Sequence, residues 1–215
     1  MTPPIPAMIG ALDRGGDFWT MEIATASDAF DFTMPAGSTG TYDATVFWGD
    51  GNSSVITNAT EAQTAHTYAT ADTYTITVKG NSWGSHDFSS STNQSQLAVR
   101  KIISFGNMQF YNFYKGFYNL SYCTEIPVLP ASTNGDADFQ YMFYQLAYFV
   151  ASPIPLIDIS NMNINGAMYA TNMCYRTNAV SFVGNFSSQK TISYGYGLFS
   201  GATIDSLSFT NVKIT

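Results

Sequence analysis

The chain has 215 residues, a formal net charge of −7, a hydrophobic share of 45%, an aromatic share of 15% and a charged share of only 11%. Its length allows one large domain or two small ones, with a real core in either case. The eight Lys and Arg residues are scattered through an acidic chain, which excludes nucleic acid as an expected partner because phosphate binding needs clustered cations.

Residues 1–16 contain Pro3, Pro4, Pro6 and three glycines. Proline fixes the backbone and removes hydrogen-bond donors, so the sequence predicts an extended N-terminal arm; the alternative is a simple leader. The segment has no apolar run of signal-peptide length, and no run of 18 apolar residues occurs elsewhere. We therefore expect neither an export signal nor a membrane partner.

Residues 17–80 consist of short apolar runs separated by turn residues, a pattern typical of a β-sandwich. The core candidates are Phe30, Phe32, Phe47 and Tyr74. The predicted strands are 18–23, 29–34, 42–48, 52–57 and 73–78.

A tight corner is predicted directly after the third of these strands, because a turn that needs positive φ accepts Gly and tolerates Asp. In the last strand, apolar residues alternate with threonines, and this period of two predicts one buried face. The residues that define the motif are Trp48, Gly49, Asp50, Gly51, His66, Tyr68 and Tyr74.

This motif resembles the immunoglobulin-like repeat of the polycystic-kidney-disease (PKD) type, with its W-G-D-G corner and its H-x-Y…G-x-Y-x-V-x-V closing strand. The match covers residues 18–80 and departs from the pattern at Asp72, where such repeats usually carry Gly. Because Asp tolerates the left-handed conformation at modest cost, we expect a weakened turn there. The resemblance implies a surface-exposed binding or spacer module without catalytic residues.

Residues 81–97 are polar and predict a linker. In residues 98–215, five apolar runs recur with anchors 24, 28, 26 and 24 residues apart, which indicates a repeat. The anchors are Ile102, Ile126, Ile154, Val180 and Ile204. Aromatic or Met-rich segments alternate with these runs, so the predicted unit is a compact helical or irregular turn followed by a strand.

Residues 142–146 and 117–120 resemble the M-F-x-x-C-x-x-L element of bacterial surface-antigen leucine-rich repeats, with Cys174 and Phe199 in equivalent places. This resemblance implies a solenoid whose strands share one parallel sheet; the alternative is an irregular β-rich domain. The expected fold class is therefore mainly β, with an immunoglobulin-like β-sandwich followed by a short leucine-rich-repeat-like β-solenoid with small helical turns.

The residues that could carry chemistry have simpler explanations. His66 belongs to the H-x-Y motif and His86 lies in the predicted linker, so we expect no catalytic residue and no cofactor. Asp43, Asp50 and Asp72 could converge on a calcium ion, but turn formation is the favoured interpretation, and no metal site is expected.

Cys123 and Cys174 lie in aromatic-rich contexts and have no metal-binding spacing. The sequence predicts buried free thiols, because Cys is among the most buried residue types; a disulfide between them is the alternative.

Not all of the 14 Tyr and 16 Phe residues can be buried, and an exposed aromatic face suits sugar or protein binding. Core packing is the alternative use for the tyrosines. The candidate surface-binding residues are Tyr111, Tyr114, Tyr194 and Tyr196.

A neutral polar surface is typical of adhesive, fibrous and virion proteins. The pairing of the two modules is similar to phage virion structural proteins, which implies a capsid decoration or fibre component on the particle exterior. The expected partners are the major capsid or other virion proteins and further copies of the chain, with glycans or a host surface as candidate ligands. The alternative is a bacterial cell-surface adhesin, and an accessory module of a glycan-degrading enzyme is a third class.

Overall fold

The protein is mainly β, and the computed structural model describes residues 18–60, 62–133, 139–162, 167–193 and 196–214. The predicted arm, residues 1–16, lies outside the described residues. Within those ranges the α-helical structure is limited to α1 (Asn93–Ala98). The strands are β1 (Trp19–Ala24), β2 (Phe30–Thr33), β3 (Ala36–Gly37), β4 (Asp43–Phe47), β5 (Ser53–Ile56), β6 (Ala65–Tyr68), β7 (Thr73–His86), β8 (Val99–Ser104), β9 (Gln109–Asn112), β10 (Ile154–Asp158), β11 (Ala167–Tyr169), β12 (Asn178–Ser193) and β13 (Thr203–Ile214).

The largest sheet has seven strands and is organised around β7. The first half of β7 lies between β4 and β1, and its second half pairs with β3 and β9. All of these pairs are antiparallel except β7 with β9, and β5 and β8 extend the sheet beyond β4 and β1. Strand β1 shows why this region forms a sheet, because Trp19, Met21 and Ile23 alternate with less buried residues and enter the core.

A second, two-stranded sheet pairs β2 with β6, and it contributes the buried side chains of Phe30, Phe32 and Tyr68. Each of the five strands expected in residues 17–80 is present. The core prediction is wrong for Phe47, which lies on the outer face of β4 beneath the Lys79 ammonium. The alternation along β4 places Ala44 and Val46 inside, so the position between Val46 and Trp48 must face outward.

The predicted linker, residues 81–97, is built of regular structure. Its first part is the end of β7, in which Trp83 and His86 are fully buried. A 3-10 turn at Phe88–Ser90 follows, and then α1, whose N-cap Thr92 accepts a hydrogen bond from the Ser95 backbone N–H. The polar side chains of this segment cap the 3-10 turn and α1, while Trp83, His86 and Phe88 are buried.

Parallel strands stack in the second half of the chain, where β12 pairs with β10, β11 and β13. The registers place Ile154 beside Ala179 and Ala179 beside Ile204. A second row contains Ile157, Phe182 and Leu207. Each row advances by 25 residues per strand, which is a solenoid-like arrangement in which one coil buries the face of the next.

The predicted anchors Ile154 and Ile204 lie in the first of these two rows, with Ala179 between them, whereas Val180 does not lie in either row. Val180 is 40% exposed, because the alternation of β12 is broken at this point: two residues, Val180 and Ser181, separate the inward Ala179 and Phe182. Ile102 lies on β8, which is antiparallel to β1 in the first sheet, and Ile126 follows an isolated parallel bridge between Lys101 and Glu125. The single parallel sheet is therefore confined to the later repeats.

The predicted helical turns are irregular turns with a repeated backbone conformation. In each turn, two residues four positions apart have positive φ, between 51° and 68°. The pairs are Lys115 and Asn119, Tyr141 and Gln145, Asn172 and Arg176, and Gly197 and Gly201. The same two left-handed positions thus recur on either side of a three-residue segment in each of these turns.

Backbone hydrogen bonds join successive turns with the same offset each time: the second residue after the first left-handed residue of one turn donates to the carbonyl of the residue directly after the first left-handed residue of the next turn. The connecting bonds are Phe117 N to Met142 O, Phe143 N to Met173 O, and Cys174 N to Leu198 O, at 2.8, 2.8 and 2.9 Å. These segments thus satisfy their buried backbone groups in the next repeat, as strands do in a sheet.

The two halves of the chain share one continuous hydrophobic core. At their junction the fully buried ring of His86 is surrounded by six aromatic rings with centroids 5.2 to 5.7 Å away. These rings belong to Trp19, Phe88, Phe105, Phe110, Phe113 and Phe117.

Candidate binding surface

The W-G-D-G corner closes the turn between β4 and β5. The Trp48 N–H donates to the Asn52 carbonyl at 3.0 Å, and Gly49 and Gly51 have φ of +87° and +95°. A side chain at Gly49 would also place its Cβ 2.6 Å from the Thr75 carbonyl oxygen. Glycine is therefore required there both for the conformation and for the close approach to β7.

Asp50 holds the corner by accepting hydrogen bonds. Its carboxylate accepts from the Asn52 backbone N–H and side-chain amide at 3.0 Å each, and it lies 2.7 Å from His66 Nε2. Partial burial acts to raise the pKa of Asp50, but the hydrogen bonds from Asn52 and His66 outweigh it and hold that pKa below its usual value.

The remaining motif residues complete the same network. The His66 ring stacks on the buried Trp48 indole at 4.9 Å, and the Tyr68 hydroxyl donates to the Trp48 carbonyl at 2.8 Å. Tyr68 in turn stacks on Tyr74 at 4.2 Å. The structure thus brings the motif residues together as a structural corner, in which His66 is engaged by its stacking partner and by Asp50.

The three aspartates considered for calcium do not converge. Asp43 begins β4 and Asp50 follows its end, so they lie at opposite ends of one strand. Asp72, expected to strain its turn, is not among the described residues with positive φ, and its backbone exchanges hydrogen bonds with Thr25 instead. Among the described residues, no group of three or more His, Cys, Asp or Glu side chains could hold a metal ion.

Both cysteines are buried and free. Burial raises the pKa of the Cys123 thiol to about 12 and that of Cys174 well above its usual value, so neither is a nucleophile near neutral pH. Burial likewise lowers the pKa of His86 to about 3, opposed in part by the backbone of Gly116. His86 is therefore neutral and belongs to the core, which its predicted linker position did not indicate.

The candidate binding tyrosines that the structure describes lie in two parts of the chain, as the two sequence clusters predict. Tyr111 and Tyr114 lie near each other at the end of β9, where Tyr111 packs against Gly40 and the Lys115 ammonium lies 4.9 Å from the Tyr114 ring centroid. Tyr196 is 84% exposed on the last turn of the stack, and Tyr194 lies outside the described residues.

A larger surface of connected rings was missed at the sequence level. The rings of Tyr118, Tyr144 and Tyr175 stack in parallel at 5.0 and 4.9 Å, one from each successive turn. The Arg176 guanidinium lies over both Tyr175 and Tyr148, at 5.1 and 5.5 Å. The recurring feature is a Tyr at the third position after the first left-handed residue in three of the four turns; the fourth has Ser200 there.

The same chain of contacts continues from Tyr148 to Phe149 at 4.9 Å, then to Tyr122 at 5.5 Å and to the Arg100 guanidinium at 5.2 Å. We name the whole set the aromatic surface. Its members are Tyr118, Tyr144, Tyr175, Arg176, Tyr148, Phe149, Tyr122 and Arg100. Phe149 is its most exposed ring, with 57% of its area open to solvent, and burial together with Tyr118 and Tyr175 raises the pKa of Tyr144.

In the part of the chain that the structure describes, no helix has both the length and the apolar character needed to cross a bilayer. Comparison of the chain with protein-family models, with characterised proteins and with solved structures finds no match.

Proposed function

We propose that this protein is a non-catalytic structural component on the exterior of a bacteriophage particle, as a capsid decoration or fibre protein. In this proposal the first half is an immunoglobulin-like sandwich of the PKD type that faces the particle or a neighbouring copy. The second half is a degenerate leucine-rich-repeat-like solenoid that projects outward. The corner network of Trp48, Asp50 and His66 supports the first identification, and the regular 25-residue advance supports the second.

The observation that carries the proposal is the aromatic surface. Tyr and Arg are enriched in interfaces, and exposed rings flanked by cations are typical of surfaces that contact another molecule. Each ring is fixed by a backbone turn hydrogen-bonded to its neighbours, so little side-chain freedom is lost on contact. A copy displayed many times on one particle needs only weak individual contacts to glycans or a host surface.

The location is tested on intact particles. Peptide mass spectrometry and cryo-electron microscopy of purified particles should show the chain and place density for both halves outside the capsid or tail. Absence from intact particles contradicts the proposal, and recovery of the chain in the bacterial envelope instead would establish the adhesin alternative.

The surface is tested with soluble protein and host cells. We expect Phe149→Ala and Arg176→Ala to weaken adhesion about fivefold or more each, as for central interface residues. The matched control is Val55→Ala, which removes an exposed apolar side chain from β5. Equal adhesion of all three variants would remove the aromatic surface from the proposal.

A further inference from the structure

A polar cleft lies where β3, β7 and β9 meet, and its residues are distinct from those of the aromatic surface. It has a volume of about 410 Å³, within the range of small-molecule sites. Its polar and aromatic lining consists of Ser38, Thr39, Ser85, Asp87, Asn112 and Tyr114.

The strand registers explain why these residues meet. Gly37 pairs with Ser85, and Ser85 pairs with Asn112, so the three form one row across β3, β7 and β9. Gly37 permits this because a Cβ there would lie 2.6 Å from the Ser85 Cβ. The Thr39 carbonyl accepts from the Ser85 N–H at 2.8 Å, which fixes the loop that forms one wall. The cleft is therefore held open by the backbone.

Two oxygen acceptors of the lining residues are not used within the protein. Asn112 Oδ1 is buried without a hydrogen-bond partner, and the Asn112 side chain lines the cleft. Asp87 accepts from the Ser89 N–H and hydroxyl through Oδ1, whereas Oδ2 takes part in none of the hydrogen bonds among described residues. A ligand that supplies hydroxyl donors would satisfy Asp87 Oδ2, and it would satisfy Asn112 Oδ1 when that side chain reorients on binding.

The charges near the cleft and the aromatic ring in its lining further restrict the class of ligand. Burial raises the pKa of Asp87, while the hydrogen bonds from Ser89 and the charge of Lys115 oppose this shift. The lining contains one carboxyl group, that of Asp87, and the Lys115 ammonium lies 4.9 Å from the ring centroid of the lining residue Tyr114, so the cleft has an opposite charge on each side and favours a neutral ligand. Tyr114 adds an aromatic ring that can pack against the apolar C–H face of a sugar.

We propose that this cleft binds one neutral pyranose ring, with hydroxyls donated to Asp87 and Asn112 and a C–H face against Tyr114. The ring could be a free sugar or the terminal residue of a surface polysaccharide. The site goes beyond the proposed function and does not depend on whether the protein is found on a particle.

The test is NMR titration of the full chain with the methyl glycosides of glucose, galactose, mannose, rhamnose and N-acetylglucosamine. A ring with about a dozen non-hydrogen atoms should bind in the millimolar range, so titration extends to about 100 mM. At least one glycoside should shift the Asn112 side-chain amide together with backbone amides of 37–39. Retention on immobilised polysaccharide from host cells, beyond that of the free glycoside, then identifies the polymer as the source.

Variants show whether the response belongs to the cleft. We expect Tyr114→Ala to weaken binding about fivefold and Tyr114→Phe to leave it unchanged, because only the first removes the ring. Asp87→Asn keeps a cap for Ser89 but should weaken binding about tenfold, since hydrogen bonds to a charged acceptor are the stronger ones. Tyr122→Ala, on the aromatic surface, is the matched control and should bind normally. No shift at these amides with any glycoside, or shifts unchanged in Tyr114→Ala and Asp87→Asn, overturns the proposal.

Discussion

His86 should make the protein lose stability in weak acid, and replacing it should remove that loss. The ring is fully buried among aromatic side chains, and burial lowers its pKa to about 3 against a smaller opposing effect of the backbone. An unfolded histidine titrates near 6.5, so between pH 6.5 and 3 the unfolded chain binds the extra proton. Stability is therefore highest above pH 6.5 and falls as the pH drops.

The slope is about 1.4 kcal/mol per pH unit, so lowering the pH from 6.5 to 5.0 should reduce the free energy of unfolding by about 2 kcal/mol. The two carboxyl groups with shifted pKa values do not imitate this decline. The lowered pKa of Asp50 removes stability only near and below pH 4, and the raised pKa of Asp87 adds stability as the pH falls.

The assay is urea unfolding of the wild-type protein and of the variants His86→Phe, His86→Leu and His66→Gln, each at pH 7.5, 6.5, 5.5 and 5.0. Each His86 variant should have the same free energy of unfolding at every pH in this range. Its absolute stability does not matter, because the slope of stability against pH alone reports the buried ionisation. His66→Gln, which changes the other histidine, should keep the decline. A wild-type stability that is flat from pH 6.5 to 5.0, or a decline that survives in both His86 variants, would refute the reasoning.

Three further outcomes are expected. Trp48→Ala should lower the free energy of unfolding by about 3–5 kcal/mol, whereas Phe47→Ala, one position away on the outer face, should cost less than about 1 kcal/mol; urea titration compares them. Gly197→Ala should lower the free energy of unfolding by about 1–2 kcal/mol or more, because φ is +68° and the new Cβ would lie 2.1 Å from Asn172 Oδ1. Thermal unfolding of this variant is compared with that of Gly51→Ala, which also has positive φ but whose Cβ would meet no neighbour. The difference between the two gives the cost of the steric contact apart from that of the backbone conformation. Cys123 and Cys174 should fail to react with a thiol reagent at pH 8 until denaturant is added; prompt reaction of the native protein would contradict their burial.

The parts of the fold that depend on nearby residues could be predicted. The corner at Trp48 and the alternation of Thr73–Val78 follow from turn chemistry and period-two burial, and the structure shows both. The period of the stacked strands was also visible, but Val180 was chosen where Ala179 is inside. The run of Val180, Ser181 and Phe182 alternates and therefore places Val180 on the face of Phe182, but the strand has two outward residues between the inward Ala179 and Phe182, and nothing in the local pattern shows this break.

The remaining features depend on the rest of the chain. Residues 81–97 are mostly Ser, Asn and Gln, and nothing local indicates that Trp83 and His86 would be covered by rings from the second half. The left-handed turns were also hidden, because Lys115 and Tyr141 adopt a conformation usually assigned to glycine. Those turns align the tyrosines of the aromatic surface, so their spacing could not be interpreted without the backbone.

The placement of the aromatic side chains also divides the optical signals of the protein. Trp19 and Trp83 lie in the first sheet and Trp48 lies at the corner after β4, and all three are fully buried, so their fluorescence reports the core of that part of the chain. The parallel rings of Tyr118, Tyr144 and Tyr175, at about 5 Å, are close enough for their transitions to couple, which adds a contribution from the stacked turns to the near-ultraviolet circular dichroism. If the shared core makes the chain one cooperative unit, both signals must change at the same denaturant concentration without any added label.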